Sequence, residues 1–354
     1  TGFWQKSVNY VERVIIMDID VVIPWVDPTD KEWQASKNKF LKDLNNDKVD
    51  NSENRFRDWD NFKYVFRGID KFMPWVHKIY LITCGQVPDW MNKEADDRLV
   101  IVNHSDYIPK EYLPTFSSHP IELNLHRIKE LSEHFIYLND DYFVINETSP
   151  EDFFVDGLPC DYALEDPITP DHKDIFNNIL INNMVLLNSH YDRRTVLKEQ
   201  KKKFYSMCDK KAFVTNMCFR PLKRNHFFGL HYSHLASNIL KSTIEKVWTE
   251  NREILEATSS HKFRNADDVN QFIFKNEQYV TGKFHPYNIN RFGRAIQLDD
   301  TIEGAVEDVC RTITDSGYKM ICINDCNIED FDNTRTKINA ALEKILPNPS
   351  VWER

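Results

Sequence analysis

The stretch HFIYLNDDYFVI, residues 134–145, constrains this chain more than any other. Phe135–Leu138 is an unbroken apolar, aromatic run, which reads as a strand buried on both faces of an α/β sheet. Asn139, Asp140 and Asp141 follow at its carboxyl end, and Tyr142–Ile145 turns apolar again. Two adjacent carboxylates raise each other's pKa unless a cation or a strong donor sits between them. A divalent metal on a nucleotide diphosphate meets that need, because Mg²⁺ takes one or two carboxylates plus phosphate oxygens. Open α/β sheets also bind ligands outside the carboxyl ends of their strands. Asn-Asp-Asp is equally good turn chemistry, so a plain polar turn between two strands competes with the metal site.

The surrounding sequence alternates strand and helix signals. Asp18–Asp27 is a β-branched run that reads as the first central strand, and Pro28-Thr29-Asp30 turns the chain and caps a helix from Lys31. Asp27 and Asp30 thus stand at a strand-to-helix junction, where nucleotides are held, with helix capping as their plainer role. Asn45–Glu53 reads as a mobile surface loop. Trp59, Phe62, Phe66, Ile69 and Phe72 recur at helical spacing before Pro74. His77–Thr83 and Leu99–Val102 read as strands, with a short helix beginning at Pro88. Ser117 or Ser118 caps a helix with Pro120 in its first turn, and Glu122 and His126, four apart, share a face of it.

This alternation predicts a doubly wound, Rossmann-like, mostly parallel α/β sheet. Residues 151–224 read as a helical insertion on the acceptor side, set into a single domain whose core is 14–150 and 225–354. Further on, the pattern predicts helices over 236–253 and 269–274, a strand over 319–324 and a last helix over 329–345.

Net charge is -10, which argues against nucleic acid as a partner. Residues 193–224 nevertheless carry eleven Lys and Arg. They suggest an anionic partner, either a phosphorylated substrate or a membrane surface, or else a solvated helix face. Seven scattered cysteines read as reduced thiols of a cytosolic protein. No signal peptide precedes the first strand, and the chain opens Thr1-Gly2 rather than with Met, which leaves a longer natural amino terminus open. No glycine-rich phosphate loop occurs.

Four blocks together carry a family resemblance: DIDVVIPWVDPTDKEW from Asp18; the run from Arg55 to Val144 with LPTFSS, HRI and FIYLNDD; GLHYSH with KFRNADDVNQF; and MICINDC with the terminal LPNPSVWER. Order and content resemble the Stealth family of hexose-1-phosphate transferases. The resemblance implies a GT-A-like fold and transfer of a sugar 1-phosphate, with GlcNAc-1-phosphate the expected group, from a UDP-sugar to a glycan or phosphoglycan hydroxyl in capsule or cell-surface polysaccharide synthesis, with UMP leaving. It implies Mg²⁺ or Mn²⁺ held by Asp140, Asp141, Asn324 and Asp325. His231 would take the acceptor proton, Arg264 would grip phosphate oxygens, and Glu122 would ligate or orient. Trp25, Asp27, Asp30, Arg55, Arg57 and Asn139 would contact the donor. The expected setting is cytoplasmic, with peripheral association at the inner membrane face or with capsule assembly proteins. Residues 146–230 match the family little, which leaves the acceptor open. Two other readings fit the residues: a metal-dependent glycosyltransferase releasing UDP, and a carbohydrate-binding or scaffolding protein without turnover, which leaves Asp140-Asp141 and Asn324-Asp325 without a purpose.

Overall fold

A computed structural model describes residues 17–42, 57–170 and 175–354. The expected loop at 45–53 and Arg55 lie outside them. The first half runs β1 (Ile19–Pro24), α1 (Lys31–Lys42), α2 (Phe62–Phe72), β2 (Ile79–Thr83), β3 (Leu99–Asn103), α3 (His104–Tyr107), α4 (Ser118–Leu123), β4 (His134–Tyr137) and β5 (Tyr142–Val144). Then come β6 (Phe154–Val155), β7 (Leu158–Asp161), α5 (Ile175–His190), α6 (Arg193–Glu199), α7 (Lys201–Phe204) and α8 (Lys210–Phe219). The chain continues with β8 (Ser237–Leu240), α9 (Lys241–Glu250), α10 (Arg252–Ser260), α11 (Phe272–Thr281), β9 (His285–Pro286), α12 (Ile289–Phe292), β10 (Gly293–Asp299), α13 (Ala305–Asp315), β11 (Met320–Asn327) and α14 (Phe331–Ile345).

The central sheet has the order β3-β2-β1-β4-β8. Its first four strands are parallel, as the alternation predicts, and β8 joins β4 antiparallel. Ile19, Val21, Ile23, Ile136 and Leu138 face one apolar cluster, with α2 behind them. Val22, Phe135 and Tyr137 face a second, closed by α9, α10 and α11. Burial on both faces is why these strands read as continuous apolar runs rather than alternating ones. Strand order reverses between β1 and β4. The carboxyl ends of those two strands, held by Leu138 N–H donating to Val22 O at 2.9 Å, therefore open a crevice of the kind that binds ligands in such sheets.

Several expectations need correction. Residues 236–253 are not one helix. Ser237–Leu240 pairs with β4, and its apolar positions merely continue the spacing of α9. The helix after Ser117 ends at Leu123, where Asn124 Nδ2 bonds back to Pro120 O at 2.8 Å and across to Ser259 Oγ at 3.1 Å. Glu122 and His126 therefore part company: Glu122 meets Tyr137, and His126 packs its ring on Trp248. No helix starts at Pro88, because Met91 bridges to Glu353 and Asn92 N–H bonds Trp352 O instead. The late helix begins at Phe272 and reaches Thr281. Residues 142–144 leave the central sheet and pair antiparallel with β11, in a second sheet ordered β10-β11-β5. The segment 151–224 is richer in regular structure than its sequence suggests. Its helices α5–α7 contribute Met184, Leu187, Val196 and Phe204 to a third apolar cluster with Tyr279, Val280 and Phe284.

Candidate active site

Asp140 and Asp141 occupy the turn between β4 and β5, where the chain passes from the first sheet to the second. Tyr142 opposes Cys322 in the β5–β11 register, and Ile323 N–H donates to Asp141 O at 3.2 Å. This register seats the Cys322 thiol against the aspartate, donating to Asp141 Oδ2 at 3.4 Å. The other oxygen, Oδ1, is buried with no hydrogen-bond partner among the described residues. His234 comes in from the loop before β8 and packs edge-on against Tyr142, with ring centroids 5.7 Å apart. Ligand atoms of Asp141, His234 and Cys322 all lie within 4.8 Å of one another.

Burial pushes Asp140 up to about 6. It pushes Asp141 further, to about 7, with help from the neighbouring charge. Asp140 is exposed to solvent and Asp141 half-buried, so the pair is open to a ligand from one side. Burial holds His234 below the ordinary histidine range, and the Arg264 charge adds to this. It also raises the Cys322 thiol well above its usual value. An orphaned buried carboxylate oxygen, a second carboxylate and a neutral imidazole fit a divalent cation. Cys322, held as a thiol, serves Asp141 as a hydrogen-bond donor.

Arg264 approaches from the far wall and donates from Nη2 to Ser118 Oγ at 3.0 Å. The helix-capping ion pair with Asp267 or Asp268 is not formed. Asp268 is buried and committed elsewhere, accepting from His119 Nδ1 at 2.7 Å, His261 Nδ1 at 2.6 Å and Asn265 N–H at 3.0 Å. This clamp fixes the loop bearing Arg264 against α4 and leaves the guanidinium without a carboxylate partner among the described residues. On α4, Glu122 is buried and accepts from the Tyr137 hydroxyl at 3.2 Å, beneath the aspartate turn.

His231 lies three residues before His234 but faces another way. Its Nδ1 meets Asp166 Oδ2 at 3.1 Å, and its N–H donates to Leu164 O at 2.8 Å. It borders a recess of about 240 Å³ that it shares with Tyr162, Asp166, Asp209, Lys211 and Asn290. Gly229 lets the two backbones forming this corner close up, since a Cβ there would stand 2.1 Å from Asp166 O.

The donor-side residues gather at the carboxyl end of β1. Trp25 stacks on Phe62 at 5.6 Å with rings nearly parallel. Asp27 Oδ1 accepts from Thr29 N–H and Oγ1. Asp30 caps α1 through Glu32 and Trp33 N–H, and its second oxygen takes Gln86 Nε2 at 2.9 Å. The side chain of Gln86, which the sequence reading passed over, ties this turn to the end of β2 through both polar atoms. Arg57 and Asp325 meet each other, at 3.1 Å. Neighbours in a strand point to opposite faces. Asp325 therefore turns to Arg57, while Asn324 turns the other way and donates to Gln297 Oε1 at 2.8 Å. Asn139 accepts Tyr142 N–H through its carbonyl, closing the aspartate turn. His234 and Cys322 are the site residues the sequence reading missed; the block GLHYSH contained the first without distinguishing it from His231.

Conserved region 1 of Stealth proteins matches residues 17–45, and conserved region 2 matches residues 55–160. The capsular polysaccharide phosphotransferase WcwK of Streptococcus pneumoniae is 37% identical over 95% of this chain and 98% of its own length. The receptor polysaccharide phosphotransferase WefC of Streptococcus oralis is 38% identical over 95% and 99%. This chain belongs to the Stealth family. The exopolysaccharide phosphotransferase cps2G of Lactiplantibacillus plantarum is 34% identical over 95% of this chain and 96% of its own. Among solved structures, the galactosyltransferase LgtC in complex with donor and acceptor sugar analogs aligns with 91% of this chain and 95% of its own, at 10% identity and a TM-score of 0.35. This Stealth protein is a sugar phosphotransferase of polysaccharide synthesis. The two matched regions meet at the β1–β4 crevice, while His231, His234, Arg264 and Cys322 come from beyond them.

Proposed function

We propose that the chain transfers hexose 1-phosphate, most simply GlcNAc-1-phosphate, from a UDP-sugar to a glycan hydroxyl in the cytoplasm beside the membrane. The observation that carries this is the partnerless buried Oδ1 of Asp141, paired with Asp140 at the point where the strand order reverses. A divalent metal bound by Asp141, Asp140 and His234, with Mg²⁺ or Mn²⁺ the expected ion, would neutralise diphosphate charge there. Trp25 offers a stacked aromatic surface for the uracil, and Asp27 and Asp30 shape the turn beside it.

The acceptor hydroxyl attacks the β-phosphorus. A P–O bond forms to the acceptor while the bond from that phosphorus to the bridging oxygen breaks, and UMP leaves with that oxygen. His231 takes the hydroxyl proton on Nε2, since Asp166 engages Nδ1. Arg264, with no carboxylate partner among the described residues, grips the phosphate oxygens as charge gathers on them. Glu122 orients the site through Tyr137. Phosphoryl transfer of this kind asks mainly for positioning and charge neutralisation. Chromatography of the spent donor tests the proposal. UMP formed in step with a phosphodiester product supports it; UDP as the sole nucleotide means attack at carbon and sinks it.

A further inference from the structure

We infer that the face formed by α8 and its flanks docks this enzyme on an anionic lipid bilayer. Among the described residues, nine large apolar side chains stand well exposed, and seven of them fall between Phe176 and Phe228. In α8, Lys210, Val214, Met217 and Cys218 point outward at one-face spacing, while Ala212 and Asn216 point in. Met207, Leu222 and Phe228, in the segments flanking α8, are exposed as well.

Cations are interleaved with it. Residues 200–228 hold eight Lys and Arg and a single acidic residue, Asp209, which is buried as the cap of α8. Lys203 turns inward to the carbonyls of Gly282 and Phe284. The other seven are exposed, and none forms an ion pair within the described residues. Arg193, just upstream, belongs to the interior, where it grips Glu165 through two nitrogens.

Exposed aliphatic side chains among uncompensated cations are the chemistry of an interfacial helix, whose apolar face enters the acyl boundary while its charges meet anionic headgroups. A phosphodiester polysaccharide would use the charges and leave Val214, Met217 and Leu222 without a partner. Lys211 and Thr215, on the adjoining edge of α8, line the recess that His231 and Asp166 border. A bilayer against the outer face therefore brings the acceptor side of the site to the lipid surface. This deepens the acceptor half of the proposed reaction and is read by a separate measurement.

The test is co-sedimentation of the full chain with vesicles of phosphatidylcholine alone or mixed with phosphatidylglycerol. Binding is expected to the mixed vesicles and to weaken with salt. Lys223→Gln with Arg224→Gln should lower partitioning roughly 25-fold, at about fivefold per cation. Met217→Asp should lower it also, while Ile302→Asp, on an exposed apolar residue elsewhere, should leave it unchanged. Nucleotide release on a soluble acceptor should survive all three variants. Equal affinity for both vesicle types, indifference to the α8 variants, or phosphoglycan binding that Lys223→Gln with Arg224→Gln abolishes while vesicle binding survives would each overturn the inference. Loss of soluble-acceptor turnover by the unmodified chain would instead count against the proposed reaction and leave the vesicle result standing.

Discussion

At the scale of single residues, the aspartate turn predicts a pH-dependent response to metal. Asp140 and Asp141 have raised pKa values in the fold. The folded chain therefore holds their protons more tightly than the unfolded chain, and these groups withdraw stability as pH climbs from the ordinary carboxylate range through their folded values. A divalent cation competes with those protons. The rise in Tm on adding Mn²⁺ to chelator-treated protein should be small below about 6 and larger above about 7. A rise that is flat across that window would remove the pair as ligands. Asp141→Asn should abolish most turnover while circular dichroism stays native. On the acceptor side, His231→Ala should lower kcat by ~10²–10⁴ without moving the donor KM. Asp166→Asn should lower kcat by less, and Gly229→Ala should imitate it by forcing Asp166 away. Nitrogen NMR of the His231 ring separates positioning from general damage. The wild type should carry its proton on Nδ1, and the Asp166 variant should lose that preference. Arg264→Lys should fall sharply too, because lysine lacks the planar two-pronged grip on phosphate.

At the scale of elements, the most exacting piece is the carboxyl-terminal segment. Trp352 is wholly buried against Phe66 of α2, at 5.7 Å between rings. Glu353 takes Arg67 Nε and Nη2, both at 2.8 Å, and Arg67 spends Nη1 on Glu343 and Leu346 O. Removing one partner of such a buried pair costs about 3–5 kcal/mol, so Glu353→Ala should lower the unfolding free energy extrapolated from urea titration by that much. Retained wild-type stability would place the clamp among ordinary surface pairs. The terminal LPNPSVWER block is thus explained as packing. The sequence resemblance had grouped it with MICINDC, which does enter the site through Cys322. The central strands were legible because each has two buried faces. The short β8 was not, because its Ile239 and Leu240 are in phase with the helical apolar positions that follow. The strand β10 alternates with polar residues and leaves no continuous apolar run.

At the scale of the whole molecule, what the sequence could not display is distance across the chain. Asp141 and Cys322 meet only through the β5–β11 register, and Arg57 and Asp325 only through the approach of α2 to the second sheet. The Asp pair itself was readable, because its chemistry is local. The three nitrogens around Asp268 were not, since His119, His261 and Asn265 become neighbours only once α4 and the loop before α11 are docked. The basic segment was visible as composition, but its division into inward anchors, Arg193 and Lys203, and an outward cationic face needed the helices.

The burial of Trp352 also bears on how the molecule is made. Synthesis proceeds from the amino end, and domains ordinarily begin to fold as they emerge. Here α2, its Arg67 lying 286 residues upstream of Glu353, keeps an open aromatic socket and an Arg67 paired with Glu343 alone until residues 352 and 353 have cleared the ribosome. A chain stalled at Leu346 should therefore stay protease-sensitive at α2, and one extended past Arg354 by an inert tail should become resistant. Completion of the core, and with it the donor crevice that α2 backs through Phe62 and Trp25, waits on the emergence of Trp352 and Glu353.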